Sequence, residues 1–299
     1  MRATKKAQPK RRGRDYSPIQ NAPAAVVSAP AGFVLPSDRA AKDELAALRR
    51  EHKELREALF EAEQVHRKLC APRELRRGAF EVAGEMFAVR HLSGDFLNVL
   101  DLGSSVGLAL GDVAGKGISA GLWVAHLVSL ARKFLASHTD PSEAAAAINR
   151  DLCSLAVEPP LVALFLGHLD PLSGQLAYCN AGLPAALLVR REGTVESLQE
   201  GGPMLGAVPG AAFCCGRVEF APGDTLVAFS DGVAECRNAR EEEFGSARLA
   251  AAVRACGGMS ATQSLFSTLG TVLDFSGGRP LDDDLTLMVV HRRGAPATH

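Results

Sequence analysis

Between Gly78 and Arg292 the strand-length apolar runs come in blocks, and helix-length runs separate the blocks. That order restricts the fold more than any other feature of the sequence. The first block reads as strands over 80–92, 96–102 and 106–110, with turns at Ser93-Gly94 and Gly103-Ser104-Ser105. The Ala-, Leu- and Val-rich run 116–135 predicts a buried helix. A second helix is predicted over 141–156, with Asp140 as N-cap and Pro141 at its first position. Strands resume over 161–169, 174–180, 185–189, 213–220 and 225–229, and Pro222-Gly223-Asp224 marks the turn between the last two. Helical runs over 245–256 and 261–274 precede a final strand, 285–292. A doubly wound parallel sheet would alternate single strands with single helices. Blocks of each predict an α+β layered domain instead.

Upstream the texture differs. Residues 1–37 mix Pro, Ala and Ser with Lys5, Lys6, Lys10, Arg11, Arg12 and Arg14 and show no period, so they are expected to form a disordered basic tail. Over 38–72, Leu45, Leu48, His52, Leu55, Leu59, Ala62, His66 and Leu69 fall on alternating steps of three and four, with Glu, Lys and Arg between them. This seam predicts a long helix, either one strand of a parallel dimer through 38–70 or an amphipathic helix packed on its own domain. Residues 294–299 are expected to be a second short tail.

Composition narrows the class. With 47% hydrophobic and 22% charged residues, the chain can bury a sizeable core. A net charge of -1 gives no overall field that would favour nucleic acid or a membrane surface. Seven cysteines without a Cys-x-x-Cys pair indicate neither a disulfide framework nor a zinc site, and reduced thiols in the cytoplasm are the expectation. No apolar run approaches the eighteen or so residues of a membrane span.

The acids carry the chemistry. Asp95 opens a strand, Asp112 closes one, Asp231 closes 225–230, and Asp282, Asp283 and Asp284 stand just before the last strand. Any one of them reads as a turn cap. Together, strand ends on one side of a sheet can gather carboxylates from distant parts of the chain. Such a cluster repels itself unless a proton or cation joins it. Hard oxygen donors without His or Cys point to magnesium or manganese. The stretch Gly111-Asp-Val-Ala-Gly-Lys-Gly117 is not a Walker loop. Only three residues separate Gly111 from Gly115, and Gly117 stands where the magnesium-binding hydroxyl belongs.

Ser93-Gly-Asp-Phe96, Gly111-Asp-Val-Ala-Gly-Lys-Gly117, Asn180-Ala-Gly182, Pro203-Met-Leu-Gly206, Ser230-Asp-Gly-Val-Ala-Glu235 and Asp283-Asp-Leu-Thr286 occur in that order. The ordered set, over about 78–293, resembles the PPM (type 2C) metal-dependent serine/threonine phosphatases, specifically the bacterial SpoIIE/RsbU-like subgroup. The resemblance implies a β-sandwich of two antiparallel sheets flanked by helices (α-β-β-α), with two Mn2+ or Mg2+ ions between the sheets. It further implies that Asp112 bridges both ions with the Val113 carbonyl as a further ligand, that Asp95 holds one ion, and that Asp231 and Asp283 hold the other. Asp284 adjoins the metal aspartate, and its role stays open between ligand and support. The implied substrate is a phosphorylated protein, a STAS-type anti-anti-sigma factor in a partner-switching pathway.

The chain departs from that pattern at Ser93, where the family carries glycine, and at Leu183, where histidine follows Asn-Ala-Gly. Neither change removes an implied ligand. Cys70-x5-Arg76 has the bare spacing of a cysteine phosphatase, but its loop lacks glycine and contains Pro72 and Glu74. The rival from another class is a catalytically inactive phosphatase-fold scaffold that works through its coiled coil.

Overall fold

The computed structural model describes residues 38–70, 73–89 and 92–294. The expected tails, 1–37 and all of 294–299 except Gly294, lie outside the described residues. Up to His52 the described chain consists of helix alone, the first part of α1 (Asp38–Leu69). Leu45 and Leu48 of the seam are exposed there. The unit from Lys53 onward holds everything else. Within it Leu55 is exposed, whereas His66 and Cys70 are buried and the Leu69 carbonyl accepts from Asn98 Nδ2 (3.2 Å) and Arg132 Nη2 (3.1 Å). Within this unit the end of the seam, at His66 to Cys70, packs against a sheet and against α2 (Ile118–Ser137).

The remaining elements follow in chain order: β1 (Glu74–Arg77), β2 (Phe80–Phe87), β3 (Asp95–Asp101), β4 (Val106–Val113), α2 (Ile118–Ser137), α3 (Pro141–Cys153), β5 (Val162–Leu169), β6 (Gln175–Ala181), β7 (Ala186–Val189), β8 (Val195–Leu198), β9 (Gly201–Gly202), β10 (Gly216–Glu219), β11 (Thr225–Phe229), α4 (Asp231–Ala234), α5 (Gly245–Ala255), α6 (Ala261–Ser276) and β12 (Leu285–Arg292). One sheet runs β1-β2-β12-β11-β7-β8 and the other β10-β6-β5-β4-β3, with β9 beside β6. Every pairing is antiparallel except the two-residue β6–β9 bridge. Helices α2 and α3 cover the second sheet, and α5 and α6 cover the first. The α-β-β-α sandwich implied by the resemblance is the observed fold.

Both faces of the central strands are buried, which is why their sequences read as continuous apolar runs rather than alternations. Leu226 and Ala228 point into the core between the sheets with Leu108, Phe165 and Met288. Val227 and Phe229, one residue out of phase, pack under α5 and α6 with Leu249 and Leu265. Ala109 and Leu164 meet Val124 and Ile148 under α2 and α3. Asp140 caps α3 as expected, accepting from Ser142 N at 2.8 Å, with Pro141 in the first turn. By length and composition α2 is apolar enough to cross a membrane, at 20 residues and mean hydropathy 1.2. It instead turns Val124, Leu127, Val128, Ala131 and Leu135 into the core.

Several boundaries differ from the sequence expectation: the helix expected over 141–156 ends at Cys153, and the strand expected over 106–110 runs on to Val113. The strand expected over 80–92 ends at Phe87, and residues 90–91 of that run lie outside the described residues. The strand expected over 213–220 begins only at Gly216. Cys214 N donates to Gly201 O (2.8 Å), so Cys214 and Cys215 run beside β9 and precede the ladder with β6. The helix expected over 116–135 begins at Ile118, because Gly115 and Gly117, at φ 120° and 82°, hold the preceding turn in a conformation a side chain would resist.

Candidate metal centre

The ladder of β3 and β4 sets Asp95 directly opposite Asp112, so the hairpin alone brings two carboxylates onto one face. The other sheet supplies the rest. Antiparallel β11 and β12 pair Phe229 with Leu287, which leaves Asp231 just beyond one strand and Asp283-Asp284 just before the other. Thr286 of β12 donates from Oγ1 to Asp95 Oδ2 at 2.5 Å and so ties the two sheets together across the site. Ser230 N donates to Thr286 O (3.0 Å) and Ser230 Oγ accepts from Thr286 N (3.1 Å), fixing the strand ends on which Asp231 and Asp284 stand.

The carboxylates are held against their own charge. Asp95 is 3% exposed, and burial, reinforced by the Asp112 charge, raises its pKa well above the carboxylate range despite hydrogen bonds from Thr286 and Ser230. Burial, then the Asp231 charge, pushes Asp112 up to about 6, with Asp283 and Asp284 adding to the rise and a hydrogen bond from Asp95 opposing it. Desolvation and like charge therefore act together here. The nearest counter-charge is Lys116, whose ammonium lies 3.1 Å from Asp283 Oδ2.

Two glycines give the site its room. A Cβ on Gly94 would lie 2.8 Å from the Val113 carbonyl oxygen and 3.4 Å from Asp112 Oδ1. A Cβ on Gly232 would lie 2.1 Å from the Asp284 carbonyl oxygen. Any side chain at either position would displace the backbone that carries the acids.

Asp95, Asp112, Asp231 and Asp283 thus come together electrostatically. Asp284 has another task. Its Oδ1 accepts from Val89 N (2.7 Å), and its Oδ2 accepts from Ser93 Oγ (2.6 Å) and Gly94 N (3.2 Å). Ser93 Oγ also accepts from Asp95 N at 3.0 Å. Asp284 is a clamp on the segment that presents Asp95, and Ser93 joins the two. Among the described residues no three His, Cys, Asp or Glu side chains close around a single point. The donor set still fits hard divalent cations: four aspartates, a main-chain carbonyl, and an excess negative charge. Thr286 and Ser230 were missed as functional residues when the sequence was read for acids alone, although both lie inside the motifs Asp283–Thr286 and Ser230–Glu235.

A two-sheet α-β-β-α sandwich with aspartates at the strand ends of both sheets is the architecture of the PPM-type phosphatases. The chain belongs to the SpoIIE family: residues 103–293 match Stage II sporulation protein E (SpoIIE). It is 24% identical over 256 residues to phosphoserine phosphatase RsbU of Bacillus subtilis, covering 85% of this chain and 75% of RsbU. Protein IcfG of Synechocystis sp. is 27% identical over 240 residues, 68% of this chain, but the match spans only 36% of IcfG. Among solved structures, the SiaA-PP2C domain of Pseudomonas aeruginosa superposes with a TM-score of 0.70 at 18% identity, over 81% of this chain and 98% of that domain. RsbX, solved in complex with magnesium, superposes at 0.57 with 14% identity, over 73% of this chain and 97% of RsbX.

Proposed function

We propose that this protein is a metal-dependent phosphoserine/phosphothreonine protein phosphatase whose centre takes two Mn2+ or Mg2+ ions. The observation that carries the reading is the pairing of Asp95 with Asp112 across β3–β4, raised in pKa by burial and by each other's neighbours, with almost no compensating cation. Asp95, Asp112, Asp231 and Asp283 would hold the ions, Asp112 being shared between them, with the Val113 carbonyl as a further ligand. When bound, such a pair of ions neutralises phosphate charge and activates a water for in-line attack. The chain's own residues do the rest. Thr286 and Ser230 orient Asp95 by hydrogen bonds, Asp284 fixes Ser93-Gly94, and the glycines at 94 and 232 let the backbones that carry the acids approach one another. Lys116, beside Asp283, would be the cation available to a phosphate oxygen.

By resemblance to the SpoIIE/RsbU-like subgroup, and supported by the match to a phosphoserine phosphatase over 85% of this chain, the proposed substrate is a phosphorylated STAS-type anti-anti-sigma factor in the cytoplasm. The exposed seam of α1 is the surface through which a homodimer would form.

The test is hydrolysis of a phosphoserine peptide by metal-stripped protein supplied with manganese, magnesium or EDTA. Manganese- or magnesium-dependent turnover that EDTA abolishes is the expected result. A folded protein with no turnover under any metal would replace this reading with that of a phosphatase-fold scaffold.

A further inference from the structure

A cleft of about 710 Å3 lies at the other end of the first sheet from the carboxylate cluster, with Thr225 of β11 and His291 of β12 among its lining residues. Six residues of β12 lie between His291 and Asp284, roughly 20 Å of strand, so the two sites are distinct. Ligand pockets in proteins commonly occupy about 300–1,000 Å3, and the cleft falls in that range.

Its charged groups divide into those already engaged and those left open. Arg190 Nη1 donates to Asp224 Oδ2 (2.7 Å) and its Nε to Glu196 Oε1 (2.7 Å). Glu81 is 6% exposed; it accepts from Ala261 N at the start of α6 (3.2 Å) and is flanked by Arg76 (3.6 Å) and Arg293 (3.8 Å). Arg293 also donates to Gly78 O (2.8 Å). The side chains of Arg191 and Arg254 have no hydrogen-bond or ion-pair partner among the described residues, and both are exposed. Both line the cleft. A Cβ on Gly223 would lie 2.9 Å from Arg191 Cδ, and one on Gly193 would lie 3.6 Å from Arg254 Cδ, so each stem passes over a glycine.

His291 also lines the cleft. It is 7% exposed and its Nδ1 lies 3.0 Å from Thr225 Oγ1, while its Nε2 has no partner among the described residues. Val189 and Val253 give the cleft an apolar wall, extended by the half-exposed Met259. Two unpaired guanidiniums, an imidazole in the lining and an apolar wall match an anion with an organic part. Guanidinium is the side-chain group best suited to phosphate.

We propose that this cleft binds a phosphorylated small molecule of nucleotide size, with its phosphates between Arg191 and Arg254 and its organic part against Val189, Val253 and Met259.

The test is calorimetric titration of the full chain with ADP and with inorganic pyrophosphate, in EDTA and at low salt so that the metal centre cannot contribute. Saturable ADP binding, tighter than that of pyrophosphate and unchanged in Asp112→Asn, is the expected result. Replacing both Arg191→Ala and Arg254→Ala should weaken ADP binding by about tenfold or more while leaving the thermal midpoint unchanged. Absence of saturable ADP binding by the wild-type chain at millimolar concentration, or equal binding by the double variant, would overturn the site. Equal affinity for pyrophosphate and ADP would overturn the role given to the apolar wall.

Discussion

Acids cluster at both ends of β11 and β12, and the two ends treat them in opposite ways. At the end near Thr225, Asp224 is fully buried and fully answered: Arg190 Nη1 lies 2.7 Å from Oδ2, Ala221 N donates to the same oxygen (2.8 Å), and Arg191 N donates to Oδ1 (3.0 Å). At the end near Asp284, Asp95 and Asp112 of the other sheet face each other with Asp231 and Asp283 beyond, and the Lys116 ammonium contacts the carboxylate of Asp283 alone. The fold therefore has the means to neutralise a buried acid and does so where the acid is structural. On the proposed reading, the end left without such partners is the one that takes cations.

The sharpest way to break this comparison is to remove the answered acid. Asp224→Ala leaves Arg190 with only Glu196 and the Glu219 carbonyl as partners and strands two main-chain N–H groups, those of Ala221 and Arg191. Unfolding in urea should show a loss of about 3 kcal/mol or more that manganese does not restore. A cost near zero would mean the two ends do not differ in kind.

The next test uses pH. Because the folded pKa of Asp112 is raised to about 6 and that of Asp95 is raised as well, the metal-free folded state holds protons that the unfolded chain has already released. Stability of the metal-free protein should therefore fall as pH rises from the ordinary carboxylate range through about 6, by up to a few kcal/mol, with the whole cost present above it. Denaturation midpoints in EDTA from pH 4 to 7 would read this slope, and saturating manganese should flatten it. A midpoint rising over the same window would contradict the electrostatics assigned to the pair.

The smallest effect concerns the clamp. Ser93→Gly removes the hydroxyl that donates to Asp284 and accepts from Asp95 N, while restoring the residue found in the family pattern. A stability loss of about 1 kcal/mol with turnover changed only severalfold is expected, since Asp284 keeps Val89 and Gly94 as donors. Loss of metal dependence in this variant would make Ser93 part of the centre itself.

Much of this was legible in the sequence where local signals and burial agreed. The run 225–229 announced β11 because both its faces are covered, and Ser230-Asp231-Gly232 announced its end. The order of blocks gave the layered class, and the motifs gave the acids. What stayed hidden depends on partners far away in the chain. The strand β9 is two glycines, admitted beside β6 because a Cβ on Gly201 would lie 1.9 Å from Asn180 O, a close approach no periodicity encodes. Asp224 read as a turn residue, yet its partner Arg190 lies 34 residues earlier. The sequence leaves Asp284 open between ligand and support, and only the folded chain brings Val89, Ser93 and Gly94 to both its oxygens.

The most direct test of the central claim is differential scanning calorimetry at pH 7 of the wild-type chain and Asp112→Asn, each in EDTA and in excess manganese. The account predicts that manganese raises the wild-type midpoint by several degrees. It also predicts that Asp112→Asn in EDTA is at least as stable as the metal-free wild type and gains little from manganese. A wild-type midpoint indifferent to manganese, or an equal gain in the variant, would contradict it.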